Sequence, residues 1–390
     1  MSAHEVSKRE VVLCVGDTTY LDYGTIMLKR EGYGPQGNGG NGLLLHSGLA
    51  VCPENGQPLG LLWQKLWNRG HRAKPPIDET RSQKKKRQAK ERKAKRERAF
   101  EEKESYRWVE AMEQTQTSVS VTTRLIHVFD REGDIAEVFA HLRGNSQTGV
   151  VVRAAHNRAL EHDPNRLWPK LEGQAIVGYH EVELAETKKR KARRAKLAIR
   201  FCPVQLRAPA RLGHSSELKV YAVYAHEVDP PEGEEAVSWM LLTSEPVISL
   251  EEAKQILRWY TYRWRVEEYH KVLKSGTQVE RYRLAASGMK TLIGFLSVIA
   301  VDLLRLTYFH RTQPEAPAED VLSEVQIKVL QAKTPADSHL LNVGWAVAAI
   351  ARLGGYLEHR RNSVIGIQVL WRGWAKLQDL VEGWHLAQKR

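Results

Sequence analysis

Hydrophobic positions follow two patterns along this 390-residue chain. The first is the short unbroken run. VVLCV at 11–15, LIHVF at 125–129, TGVVVRA at 148–154 and WMLLT at 239–243 are rich in β-branched residues or leucine and too short for helices. Runs of this kind predict strands buried on both faces. The first ends at Gly16 and Asp17 and the second at Asp130, so two strands carry a carboxylate at their C-terminal ends. LLLHSGLAVCP at 43–53 adds a strand, and the glycine-rich GYGPQGNGGNG at 32–42 before it reads as a hairpin connection. No Gly-Lys-Ser/Thr follows those glycines, which excludes a nucleotide-cradling loop. Between 155 and 237, AIVGYHEVEL, KLAIRF and LKVYAVYA alternate with polar turns, predicting a small β-rich insertion.

The second pattern has the 3.6-residue period of a helix. DIAEVFAHL follows Asp130 as one helix. Ser249, with Glu252 three residues on, forms a capping box that opens a long helix reaching YTYRWRVEEYHKVLK at 260–274. Trp259, Tyr262, Val266, Tyr269 and Leu273 fall on one apolar stripe suited to a core. Tyr260, Arg263, Glu267, Lys271 and Lys274 fall on another, at offsets of 3, 4, 4 and 3. Two readings stay open for that polar stripe: a solvated face held by i,i+4 ion pairs, or a functional face. Beyond 285 the chain reads as helical. TLIGFLSVIAV at 291–301 stops at Asp302 and Arg305, too short to span a bilayer, and is expected as a buried helix. The last helix repeats Leu370, Trp374, Leu377, Val381 and Trp384, a 4-3-4-3 spacing that fits core packing or a dimer seam.

Composition narrows the partner. Lys and Arg number 59 against 46 Asp and Glu, a net charge of +13 that favours a polyanion, nucleic acid first. RSQKKKRQAKERKAKRER at 81–98 concentrates that charge, and either a solvated, partly disordered linker or a phosphate-contacting segment accounts for it. KKRKARRAK at 188–196 is a second basic block. Cys14, Cys52 and Cys202 have neither zinc nor disulfide-framework spacing, and MSAHEVSKRE lacks the apolar core of a secretory signal. A cytoplasmic protein without membrane attachment is expected.

Asp17, Asp130 and Glu267 are the candidate chemistry. Three carboxylates converging at strand ends suit one or two Mg²⁺ ions, which prefer hard oxygen donors and leave room for water and phosphate. The cations beside Glu267 would then hold a DNA backbone in register. A strand-end aspartate is as often a turn or cap residue. No nucleophile elbow or Cys-His pair competes.

Tyr260, Arg263, Glu267 and Lys274 fit the Y-x2-R-x3-E-x6-K signature of bacterial DDE transposases of the cut-and-paste insertion-sequence group, with Lys271 as an additional matching lysine. GDTTYLDY around Asp17 resembles that family's first-aspartate motif and DREGDI from Asp130 its second; EEKES at 101–105, WMLLTSEP at 239–246 and ARLGGYLEHRRNSV with LWRGWAKLQ resemble further family segments. The resemblance implies an α/β fold with a ribonuclease-H-like core at 1–154 and 238–310, split by the insertion at 155–237 and followed by a helical dimerisation domain at 311–390. It implies that Asp17, Asp130 and Glu267 bind two Mg²⁺ or Mn²⁺ ions. Tyr260, Arg263, Lys271, Lys274 and Arg153 would contact phosphates, and Trp239 would stack on a displaced base. The partners implied are double-stranded DNA, both transposon ends and target, and a second copy of the chain. Relatives carry an end-recognition domain ahead of the first aspartate, whereas sixteen residues precede Asp17 here. Two outcomes are therefore expected: a transposase that cleaves and transfers strands, or a truncated relative that inhibits transposition through dimerisation.

Overall fold

The computed structural model describes residues 2–24, 31–37, 40–70, 76, 78–164, 166–184, 192–212, 217–357 and 365–388. Its centre is a large mixed sheet. In chain order the elements are α1 (Ser2–Ser7), β1 (Val11–Asp22), β2 (Gly34–Pro35), β3 (Asn41–Val51), β4 (Pro58–Trp67), α2 (Arg81–Glu97), α3 (Arg107–Thr117), β5 (Arg124–Phe129), α4 (Ala136–His141) and β6 (Thr148–Arg153). They continue through α5 (Leu167–Glu172), β7 (Gly178–Leu184), β8 (Arg193–Leu206), β9 (Leu218–Glu227), β10 (Ser238–Thr243), α6 (Leu250–Thr261), α7 (Trp264–Lys271), α8 (Ala286–Thr312), α9 (Glu324–Lys333), α10 (Val343–Leu353) and α11 (Ile367–Gln388).

The strand order is β2-β3-β1-β5-β6-β10-β9-β8-β7, with β4 paired to β3. β1, β5 and β6 run parallel, and the other pairings are antiparallel. Strands β7 to β9, from the segment read as an insertion, extend the same sheet through β10.

Side chains alternate between the two sheet faces with period two, and that alternation divides the core. Leu13, Val15, Ile126, Val128, Val151 and Leu241 point toward α6, α7 and α8, joining a core that includes Leu257, Val266, Tyr269 and Leu303. Phe129, Val150, Val152, Met240 and Leu242 point the other way, against Trp108 and Met112 of α3 and Phe139 of α4. The unbroken hydrophobic runs are thus strands covered on both sides.

The structure corrects four expectations. β1 does not end at Asp17 but continues to Asp22, because β3 pairs with it antiparallel through Asp22↔Gly42. The basic block at 81–98 is no disordered linker: Thr80 and Gln83 form a capping box that opens the 17-residue α2, none of whose residues is buried. The helix through 260–274 is not continuous. Tyr262 N–H donates to the Trp259 carbonyl at 3.1 Å, Arg263 to Tyr260 at 3.1 Å and Arg265 to Tyr262 at 3.0 Å, so i→i+3 bonds tighten one turn between α6 and α7. The Tyr262 ring lies against Gly56, where an added Cβ would come within 2.6 Å of it. Finally, α8 extends the apolar run at 291–301 to 27 residues, long and apolar enough to cross a membrane, yet 56% of that window is buried inside the fold. Tertiary packing, not shortness, accounts for its place.

The terminal stripe divides. Leu370, Trp374 and Leu377 are buried and Val381 packs partly buried against the same core, while Trp384 is exposed, so core packing explains the stripe as far as Val381. Residues 188–191 of the second basic block and 358–364 of the C-terminal motif lie outside the described residues.

Candidate active site

Register brings the two aspartates together. β1 and β5 pair in parallel from Val11↔Arg124 to Val15↔Val128. Continued by two residues, the same register sets Asp17 level with Asp130, on neighbouring strands about 4.8 Å apart. Both have the parity of Leu13, Val15, Ile126 and Val128, so both project to the face covered by α6, α7 and α8. Asp17 therefore stands where the parallel ladder ends, although its own strand goes on.

Glu267 arrives over that face from α7, half-buried. The tight turn before it has a consequence that periodicity did not foresee. Tyr260 and Arg263, placed on the polar stripe for which a solvated and a functional face were both open, are 3% and 6% exposed. Arg263 donates to Glu267 Oε1 at 2.7 Å and lies 4.5 Å from the Trp264 ring. Burial works against its charge, but Tyr260, Glu267 and Asp17 hold its pKa above the ordinary value. Asp130 is raised by burial first and by Asp17 next, with Arg263 among the opposing cations. Glu267 is raised by burial and by Asp17, again opposed by Arg263. One guanidinium is thus the shared counter-charge of all three carboxylates.

Supporting groups surround Asp17. Ser47 of β3 is its cross-strand partner. His270, buried one turn beyond Glu267, places Nδ1 3.7 Å from Asp17 Oδ2 and Nε2 3.2 Å from Ser47 Oγ. Gln64 Nε2 donates to Ser47 Oγ at 3.2 Å and accepts no slack on its other side, donating also to Tyr269 Oη at 2.8 Å. On the opposite sheet face, Arg107 Nε donates to Thr18 Oγ1 at 3.0 Å, and Thr18 shares a 2.8 Å hydrogen bond with His46 Nδ1. Asp130 Oδ1 accepts from the Glu132 N–H at 2.9 Å and caps the short turn after β5, so it serves as a turn residue too. His270 and Arg107 were missed from the sequence; the Glu-x2-His spacing on α7 was the available signal for the first.

The remaining expected contacts scatter. Lys271 is exposed, with no ion pair among the described residues. Lys274, on a π turn at Val272–Gly276, donates to the Tyr20 carbonyl at 2.8 Å and pairs with Glu280 at 3.3 Å. Trp239 is half-buried, its ring 5.5 Å edge-on from Tyr260. Arg153 donates to the Ser238 carbonyl at 3.0 Å.

Among the described residues no three His, Cys, Asp or Glu side chains form a closed ligand set. The carboxylates nonetheless fit a hard cation. They offer only oxygen donors, burial and then the Asp17 charge raise two of them, and Arg263 already stands among them as a cation. An open site completed by water and phosphate is how Mg²⁺ is usually held. The family model for the transposase DDE domain matches residues 63–287, a span that contains Asp130 and Glu267 and begins after Asp17.

Proposed function

The chain belongs to the DDE-domain transposases, since more than half of its length matches that family, and from this premise we propose that it cleaves DNA at the ends of a mobile element and joins the freed 3′-hydroxyl to a target. The observation that carries the reading is the register that levels Asp17 with Asp130 beneath Glu267. The parallel strands β1, β5 and β6 with antiparallel β3 and β4 beside them support a ribonuclease-H-like core at 1–154 and 238–310. In this reading 155–237 is the inserted segment and 311–390 the dimerisation region of a homodimer on DNA.

Asp17, Asp130 and Glu267 would hold two Mg²⁺ or Mn²⁺ ions, which supply an activated hydroxyl at the scissile phosphate and charge neutralisation at the leaving oxygen. The chain's own residues prepare the site. Arg263 keeps the Glu267 carboxylate ionised and oriented. His270 and Ser47 hold Asp17 from the side. Lys271, free of an ion pair among the described residues, reaches a phosphate, as Lys274 would on releasing Glu280. Tyr260 acts through packing, with Trp239 edge-on against it and available to a flipped base, and Arg153 beside it on the same face. No covalent enzyme intermediate is required.

The test is cleavage of a plasmid bearing the element's own ends, with Mg²⁺ or Mn²⁺, by the chain and by its Glu267→Gln variant. Metal-dependent cleavage lost in the variant is the expected result. Cleavage that survives the substitution removes Glu267 from the site, and with it the three-carboxylate reading.

A further inference from the structure

Helix α2 is built against the rules of helix stability. It holds ten Lys or Arg and two Glu, and nothing on it is buried, so no core packing supports it. Its first turn has no acidic residue, and Arg81 sits there against the positive end of the helix dipole. Arg81 and Lys85, Lys86 and Lys90, and Arg92 and Arg96 are like-charge pairs at i,i+4, which oppose the helix. Such a segment gains from a polyanion laid along it.

A groove of about 1380 Å³ separates α2 from the sheet, and its far end is lined by Thr18, whose side chain leaves β1 on the face opposite Asp17, and by Glu132, just past the carboxyl end of β5. Every acid facing the groove already carries an arginine. Glu91 pairs with Arg87 at 2.9 Å, Glu104 with Arg69 at 2.9 Å, and Glu132 with Arg107. Arg87 also reaches Glu79 at 2.7 Å and so fastens α2 to the chain before it. Four groove-lining cations, Arg92, Lys95, Arg98 and Lys103, have no ion pair among the described residues, and the first three lie on or at the end of α2. Paired charges set the walls, and unpaired cations line them.

We propose that this groove and α2 form a DNA-backbone channel, in which a duplex engaged at the carboxylates continues along α2 and places phosphates against Arg92, Lys95 and Arg98. The 17 residues of α2 rise about 25 Å, roughly seven base-pair steps of duplex axis at ~3.4 Å each. The choice of DNA as the polyanion rests on the proposed function; the binding surface rests on the groove.

The experiment is duplex binding by the full chain across a salt series, using a duplex of unrelated sequence so that only backbone contact is read. The variant Arg92→Gln/Lys95→Gln/Arg98→Gln is compared with Arg194→Gln/Arg207→Gln/Lys219→Gln, which removes the same charge from exposed positions of the 155–237 segment. With about 0.9 counterion released per phosphate contact, the groove variant should lower the slope of log affinity against log salt by about 2 to 3. The control should leave it unchanged. Because α2 buries nothing, neutralisation does not unfold the chain, which circular dichroism verifies. Equal slopes for wild type and groove variant, or equal losses in both variants, overturn the channel. Metal-dependent cleavage with an unchanged groove slope defeats this inference alone. Groove-dependent binding without cleavage defeats the catalytic reading and leaves the channel standing.

Discussion

Truncating Arg263 to alanine isolates what the site costs the fold. The guanidinium is 6% exposed and makes a 2.7 Å charge-assisted bond to Glu267, whose side chain remains 40% exposed. Breaking a fully buried pair costs about 3–5 kcal/mol. Glu267 can recover water, which lowers that figure to about 2 kcal/mol, within the range for a bond to a charged group. The contact with the half-exposed Trp264 ring adds about 0.5–1 kcal/mol. A loss of roughly 2–3 kcal/mol is therefore expected in urea unfolding at neutral pH. The chain's 11 tryptophans, Trp264 among them, make fluorescence a suitable signal. Arg263→Ala/Glu267→Gln should regain at least half of the loss, because the glutamine leaves no unpaired carboxylate there. Arg263→Lys should fall between. A cost below about 0.5 kcal/mol, typical of a surface pair, or a double variant no more stable than Arg263→Ala, would refute the shared counter-charge.

Other outcomes follow from the same geometry. Asp130 and Glu267 have raised pKa values in the fold, burial being the first cause and Asp17 the next. The folded chain thus holds more protons than the unfolded one above the ordinary carboxylate range, and their contribution to stability falls as pH rises through the raised values. Asp130→Asn should flatten that decline in urea midpoints measured against pH; an equal or steeper decline contradicts it. Gly16→Ala sets a Cβ 2.7 Å from the Phe129 ring, which is 0% exposed and immediately precedes Asp130. Overpacking of this kind costs about 1–3 kcal/mol, and wild-type stability in that variant would show that the ring can yield. His270→Ala should lower cleavage by roughly 10–100-fold and raise the Mn²⁺ concentration required, as loss of an outer-shell partner does. His270→Asn should restore part of both, and an unchanged metal dependence would reduce His270 to packing.

The sequence by itself determined whatever depends on neighbours within a turn or on side-chain period. Ser249 and Glu252 cap α6 as their spacing indicates, with the Glu252 N–H donating to Ser249 Oγ at 3.3 Å. The strand runs, the stripe of Val266, Tyr269 and Leu273, and the spacing of Tyr260, Arg263, Glu267 and Lys274 are legible for the same reason: each is a local pattern. Tertiary structure decided the rest. That β1 runs past Asp17 depends on β3 arriving beside it from residues 41–51. The polar stripe is buried at Tyr260 and Arg263, on either side of a turn that tightens where the Tyr262 ring meets Gly56. His270 found Ser47, 223 residues away in sequence. Whether Arg263 faces water or carboxylates is fixed by what packs across from it, and no period within one helix encodes the opposite wall.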